Sequence, residues 1–228
     1  MRRFDLVAFD VDGTLVQHPD GQTVWEVLNE RFTGTAEHNR ERFKLYRSGR
    51  LSYAEWVALD IEGWRNAGAR RADMVAAFGP LRLVDGAVET LRALKVHGLR
   101  LAVISGTLDL LLDTLLPDHP FDEVYTNRIW FDDDGAIAGW SATPFDMEGK
   151  GVALRAIAMR EGIDLARCAF VGDHDNDLSA ARVAGWTVAF CPKSAELEAI
   201  AHAVVRSPRL TDVLPHLLHP EPGLTTRS

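Results

Sequence analysis

Leu6-Val7-Ala8-Phe9, followed at once by Asp10-Val11-Asp12-Gly13-Thr14, is the stretch where the fold becomes legible. Four consecutive apolar residues without polar alternation have the pattern of a short strand covered on both faces, as in a parallel sheet. Two carboxylates one residue apart, then a glycine, put acidic side chains where that strand ends. In open sheets of strands alternating with helices, ligands bind outside the carboxyl ends of the strands, so Asp10 and Asp12 stand where chemistry is expected.

The same pattern recurs. Residues 101–104, 169–171 and 188–190 are short apolar runs, and helical patterns lie between them. The pattern at 85–97 ends in a basic turn and Gly98, that at 151–161 stops at Gly162, and that at 177–184 stops at Gly185. The alternation predicts an α/β fold with a doubly wound parallel sheet. Residues 16–83 break it with successive helical patterns at 24–32 and 36–47, a helix start at Ser52 with Glu55 placed for a capping box, and another pattern near 73–78. The expected organisation is a core of residues 1–15 and 84–218, an inserted helical cap of 16–83 carrying Trp25, Trp56 and Trp64, and a frayed tail at 219–228. Residues 127–140 read as a hairpin whose turn is Asp132-Asp133-Asp134-Gly135, a solvated turn rather than a metal site. Tryptophans in so small a helical unit are expected to pack its core, with at most one facing the cleft.

A net charge of -8 and the lack of a Lys/Arg block argue against nucleic acid as a partner. No apolar run approaches the ~20 residues that span a bilayer, and the amino terminus shows no leader pattern, so a cytoplasmic location away from membranes is expected. Cys168 and Cys191 match no metal or redox spacing, and both read as reduced, buried thiols. A monomer and a homodimer both remain open.

Gly172-Asp173-His174-Asp175-Asn176-Asp177 follows the run at 169–171 and brings further acids to the same edge. Carboxylates crowded into a cleft repel one another, and such a cluster implies a cation. Oxygen ligands together with substrate phosphate and water suit Mg2+. Ser105-Gly106-Thr107, after the run at 101–104, offers a hydroxyl and backbone amides to a phosphoryl oxygen, and Lys150 offers a point charge. Alone, an Asp-x-Asp is usually a turn, Ser105 a helix-capping hydroxyl and Lys150 a surface charge. Together they form a phosphoryl-transfer site, with Asp10 attacking phosphorus and Asp12 acting as general acid and then base. His174 and Asp175 read as the loop rim.

These four motifs, in order and spacing across residues 5–191, resemble the haloacid dehalogenase-like hydrolases, and the helical insertion resembles the phosphoserine phosphatase branch. The resemblance implies a phosphatase acting through an aspartyl-phosphate on a small phosphorylated metabolite. Asp10 would be the nucleophile and Asp12 the acid/base; Ser105, Gly106, Lys150 and Asn176 would hold phosphate. Asp10, the Asp12 carbonyl, Asp173 and Asp177 would bind or support magnesium. A phosphomutase using the same intermediate, and a phospho-accepting binding module, are the alternatives. Phosphoserine enzymes of this branch carry a cap glutamate and a cap arginine; here Asp20 and Arg65 are the available stand-ins.

Overall fold

The computed structural model describes residues 2–219. From the amino terminus, β1 (Leu6–Phe9) leads to β2 (Val16–Gln17), then to four helices: α1 (Val24–Thr33), α2 (Glu37–Arg47), α3 (Tyr53–Asn66) and α4 (Arg71–Ala77). The chain returns through β3 (Arg82–Leu83) to α5 (Ala87–Val96), β4 (Arg100–Leu108), α6 (Asp109–Leu115), β5 (Glu123–Phe131) and β6 (Ile137–Ser141). It continues with α7 (Lys150–Glu161), β7 (Cys168–Gly172), α8 (Leu178–Ala181), β8 (Trp186–Phe190), α9 (Ala195–Ile200), β9 (Ala203–Val205) and α10 (Leu214–Leu218). The seven-stranded sheet has the order β6-β5-β4-β1-β7-β8-β9, with β6 antiparallel to β5 and every other pairing parallel.

The four-residue run at the start explains the layering. Successive strand side chains point to opposite faces. Val7 and Phe9 therefore enter one apolar layer, with Leu101, Val103, Leu91 and Leu94, while Leu6 and Ala8 enter the other, with Ala102, Ile104, Leu154 and Ile157. Both faces are covered by helices, which is why the strand has no polar alternation.

Thr23 and Ser52 close capping boxes with Glu26 and Glu55 at the starts of α1 and α3, so local sequence fixes where these helices begin. The two chain segments joining α1–α4 to the sheet pair with each other as an antiparallel ribbon, Val16 opposite Leu83 and Gln17 opposite Arg82.

Several details differ from the sequence reading. The strand expected at 101–104 is longer: β4 runs on through Ser105-Gly106-Thr107 to Leu108, with an irregularity in its pairing between Ile104 and Leu108. The first limb of the hairpin starts earlier, at Glu123, and joins the main sheet beside β4. Its three-acid turn is held by Asp132 Oδ1, which accepts from the Asp134 and Ala136 amides at 3.1 and 2.8 Å. Cys168 is buried but Cys191 is exposed, in a left-handed conformation (φ 42°) where the chain leaves β8. The expected tail, apart from His219, lies outside the described residues. No described helix is long and apolar enough to cross a membrane.

Candidate active site

The carboxyl ends of β1, β4 and β7 meet in a cleft of about 1080 Å³, lined by Asp10, Asp12, Ser105, Gly106, Asp173 and Asn176 from the sheet side. Asp10 follows β1 and donates its amide to the Val171 carbonyl of the neighbouring strand at 3.0 Å, which ties the first acid to the strand bearing Asp173. Gly13 turns the chain away with φ +89°, and a Cβ there would stand 2.1 Å from Asp173 Oδ2. The glycine thus serves both the turn and the approach of the two acidic loops.

Lys150 and Asp177 lie beneath the cleft floor, fully buried. Lys150 Nζ is 2.7 Å from Asp10 Oδ1 and 2.7 Å from Asp177 Oδ1. Burial opposes its charge, but Asp10 and Asp177 outweigh burial and hold the ammonium well above its ordinary range. Asp177 also accepts the Asp173 amide at 2.8 Å and the His174 amide at 3.1 Å. Asp177 thus braces the acidic loop from below while keeping an oxygen near those of Asp10 and Asp173.

The remaining acids fit a hard divalent cation. One oxygen from each of Asp10, Asp173 and Asp177 lies within 4.8 Å of the others. Asp173 Oδ1 is buried with no partner among the described residues, while Asp10 Oδ1 and Asp173 Oδ2 each face a lysine ammonium, Lys150 at 2.7 Å and Lys193 at 2.9 Å. Burial first, then the charge of Asp10, pushes the carboxyl groups of Asp173 and Asp12 upward, Asp12 to about 7. Two acids pushed up by confinement and a like charge mark a site with excess negative charge, which a cation relieves.

Asp12 stands on the cleft wall two positions beyond Asp10. Ser105 Oγ, also buried, accepts the Thr107 amide at 3.2 Å. The Gly106 carbonyl accepts Trp25 Nε1 at 2.8 Å and Asn127 Nδ2 at 2.7 Å, and a Cβ on Gly106 would collide with the Asp146 carboxylate at 2.0 Å. Asn176 Nδ2 donates to Asp146 Oδ1 at 3.2 Å. His174 and Asp175 are exposed at the rim, and Ser194 Oγ donates to Asp175.

The sequence reading missed Lys193, Asp146 and the helical face of the cleft. Lys193 lies just past β8, so the rule that directed attention to strand ends could have found it. Trp25 and Trp56 both line the cleft, not one at most; Trp25 does so with its ring tilted against that of buried Trp64, 5.3 Å between centroids. The stand-ins for the cap pair do not reach the site. Asp20 is exposed and is not part of the cleft wall, and Arg65 lies over the Trp140 ring at 5.2 Å.

The family profile of the haloacid dehalogenase-like hydrolases matches residues 4–185. The chain is 30% identical over 195 residues to a phosphoserine phosphatase of Methanocaldococcus jannaschii, covering 82% of this chain and 86% of that protein. It is 32% identical over 210 residues to a phosphoserine phosphatase of Mycobacterium tuberculosis, covering 92% of this chain but only 49% of that relative. A solved structure described as a phospho-aspartyl intermediate analogue of phosphoserine phosphatase superposes with a TM-score of 0.75 at 25% identity, over 95% of this chain and 100% of that one. The motif order, the sheet that gathers the motifs and these likenesses agree: the chain belongs to the haloacid dehalogenase-like hydrolases, among their phosphatases.

Proposed function

We propose that the protein hydrolyses a small phosphomonoester with Asp10 as nucleophile, Asp12 as acid and base, and Mg2+ as the cation of the acidic cluster. The observation that carries this reading is geometric: Asp10, Asp173 and Asp177 bring carboxylate oxygens within 4.8 Å of one another at the ends of β1 and β7, Lys150 Nζ meets Asp10 from below at 2.7 Å, and Asp12 stands two positions further along the same cleft wall.

In the first half-reaction an Asp10 carboxylate oxygen bonds to phosphorus, the ester P–O bond breaks, and the leaving alkoxide takes the proton of Asp12. In the second, the Asp12 carboxylate takes a proton from water, which attacks phosphorus and releases inorganic phosphate, restoring Asp10. Lys150 fixes the Asp10 carboxylate and balances part of the charge. Ser105, the amides around Gly106 and Asn176 would hold the phosphoryl oxygens. Mg2+, held by Asp10, Asp173 and the Asp12 carbonyl and braced by Asp177, would supply positive charge against the phosphoryl oxygens.

Helices α1–α4 act in this reading as a cap, hinged at the β2–β3 ribbon and closing over the cleft to exclude bulk water. Phosphoserine, named in the relatives, is the first compound to test. The free cysteines and the absence of a membrane-crossing helix among the described residues support a cytoplasmic setting. Asp10→Asn is expected to lower phosphate release by about 10^4-fold or more. Circular dichroism should show the fold retained, because Lys150 keeps its bond to Asp177. Near-normal turnover by that variant would refute the assignment.

A further inference from the structure

The helical side of the cleft combines cations with an aromatic wall. On α2, Arg40, Phe43, Lys44 and Arg47 recur at spacings of three and four, which brings them to one helical face, and all four line the cleft that contains Asp10. Their charges are not equally committed. Arg40 pairs with Glu26 at 2.8 Å, and Lys44 approaches Glu37 at 3.7 Å. Arg47 is exposed and forms no ion pair with a described residue.

Beside these cations lies an aromatic wall. Phe43 is 40% exposed, and its ring packs 5.7 Å from that of Trp56. Tyr46 and Tyr53 complete the packing around Trp56 at 5.8 and 6.0 Å. Trp56 Nε1 is buried and has no hydrogen-bond acceptor among the described residues, although its side chain lines the cleft. A buried donor without a partner costs free energy unless a ligand supplies the acceptor.

We infer that the preferred substrate is a phosphomonoester whose leaving group has an apolar, ring-sized body and a second anionic group. The body lies against Phe43 and Trp56, and the distal anion meets Arg47. This rests on the phosphatase reading and narrows it to a substrate class; Asp20 and Arg65 take no part. An apolar body gains from covering Phe43, and an anion gains a charge-assisted contact with a cation that has no internal partner.

The test compares a phenylalkyl phosphate bearing a ring carboxylate, its uncharged parent and phosphoserine, each assayed by phosphate release. The two phenylalkyl esters have matched leaving groups, so their ratio reports recognition. The wild type should favour the carboxylated ester over the parent in kcat/KM by roughly tenfold, mainly through KM, and favour both over phosphoserine. Arg47→Ala should collapse the ratio of carboxylated to parent ester, and Arg47→Lys should restore part of it. Phe43→Ala should raise KM for both phenylalkyl esters more than for phosphoserine. Phosphoserine as the best substrate, or a ratio unchanged by Arg47→Ala, would overturn the inference and leave the phosphatase standing. Full activity of Asp10→Asn on these esters would overturn the phosphatase reading instead.

Discussion

Two walls of one cleft are built on different principles. The sheet wall holds Asp10 and Asp173 directly after β1 and β7, with Asp177 in the turn that follows β7 and Lys150 at the start of α7, and each charge faces another across a few ångströms. The helical wall is an amphipathic assembly, whose own buried charge, Asp60, is satisfied within the cap by Asn29 at 3.0 Å, Asn39 at 2.8 Å and Arg42. The first wall spends its buried polar groups on reactivity and the second on shape. Substitutions on the face of α2 that lines the cleft should therefore change substrate choice more than the chemical step, whereas Trp25, whose indole holds the Gly106 carbonyl, reaches the sheet wall itself.

That contrast can be broken from either side. Asp10→Asn should remove activity and leave stability nearly untouched. Asp60→Ala should do the opposite at first: it strands Arg42, Asn29 and Asn39 around a lost carboxylate and should cost about 3 kcal/mol. Chemical denaturation would measure this, and a loss of cooperativity confined to the cap would show that the helical segment unfolds as its own unit. An unchanged unfolding midpoint would contradict the view of Asp60 as the anchor of the cap.

The smallest effect lies far from the cleft. Asp5 accepts from Arg167 at 2.9 Å and from Arg2 at 2.8 Å, with its side chain 22% exposed. Arg167 above all, against a modest cost of burial, lowers its carboxyl from 3.8 to about 2. The folded state thus favours the ionised form. Its contribution is complete above the unfolded value of 3.8 and is lost as pH falls through about 2. For so accessible a group, Asp5→Asn should cost about 1 kcal/mol or less at pH 7 and only a small fraction of that by pH 2, where much of the carboxyl is already protonated in the fold, read as a difference in Tm between the two proteins. A penalty undiminished at pH 2 would mean that Asp5 acts through something other than its charge.

The sheet wall was largely legible because its signals are local. A buried parallel strand needs an uninterrupted apolar run, and the residues after it must face the ligand edge, so Asp10, Asp12 and Asp173 could be placed without knowing the fold in detail. Strand β9 was not legible, since Ala203–Val205 gives only three residues of signal. Cys191 was misplaced because one residue separates the buried end of β8 from a left-handed exit, and adjacency to an apolar run does not say where the strand stops. The helical wall was legible in its secondary structure, through caps and periodicity, but not in its orientation. Helical spacing puts Arg40, Phe43 and Arg47 on one face; only the packing of α2 on α1 and α3 determines that this face looks into the cleft. Lys150 illustrates the same limit, since nothing in the sequence shows that it lies under the floor between two carboxylates.

The most direct test of the account is to locate the phosphoryl group during turnover. Mixing enzyme, Mg2+ and a 32P-labelled phosphomonoester, quenching in acid within milliseconds and mapping the labelled peptide should place an acyl phosphate on Asp10, with none formed by Asp10→Asn. Label on Asp173 or another side chain, or steady phosphate release with no labelled protein at any quench time, would contradict it.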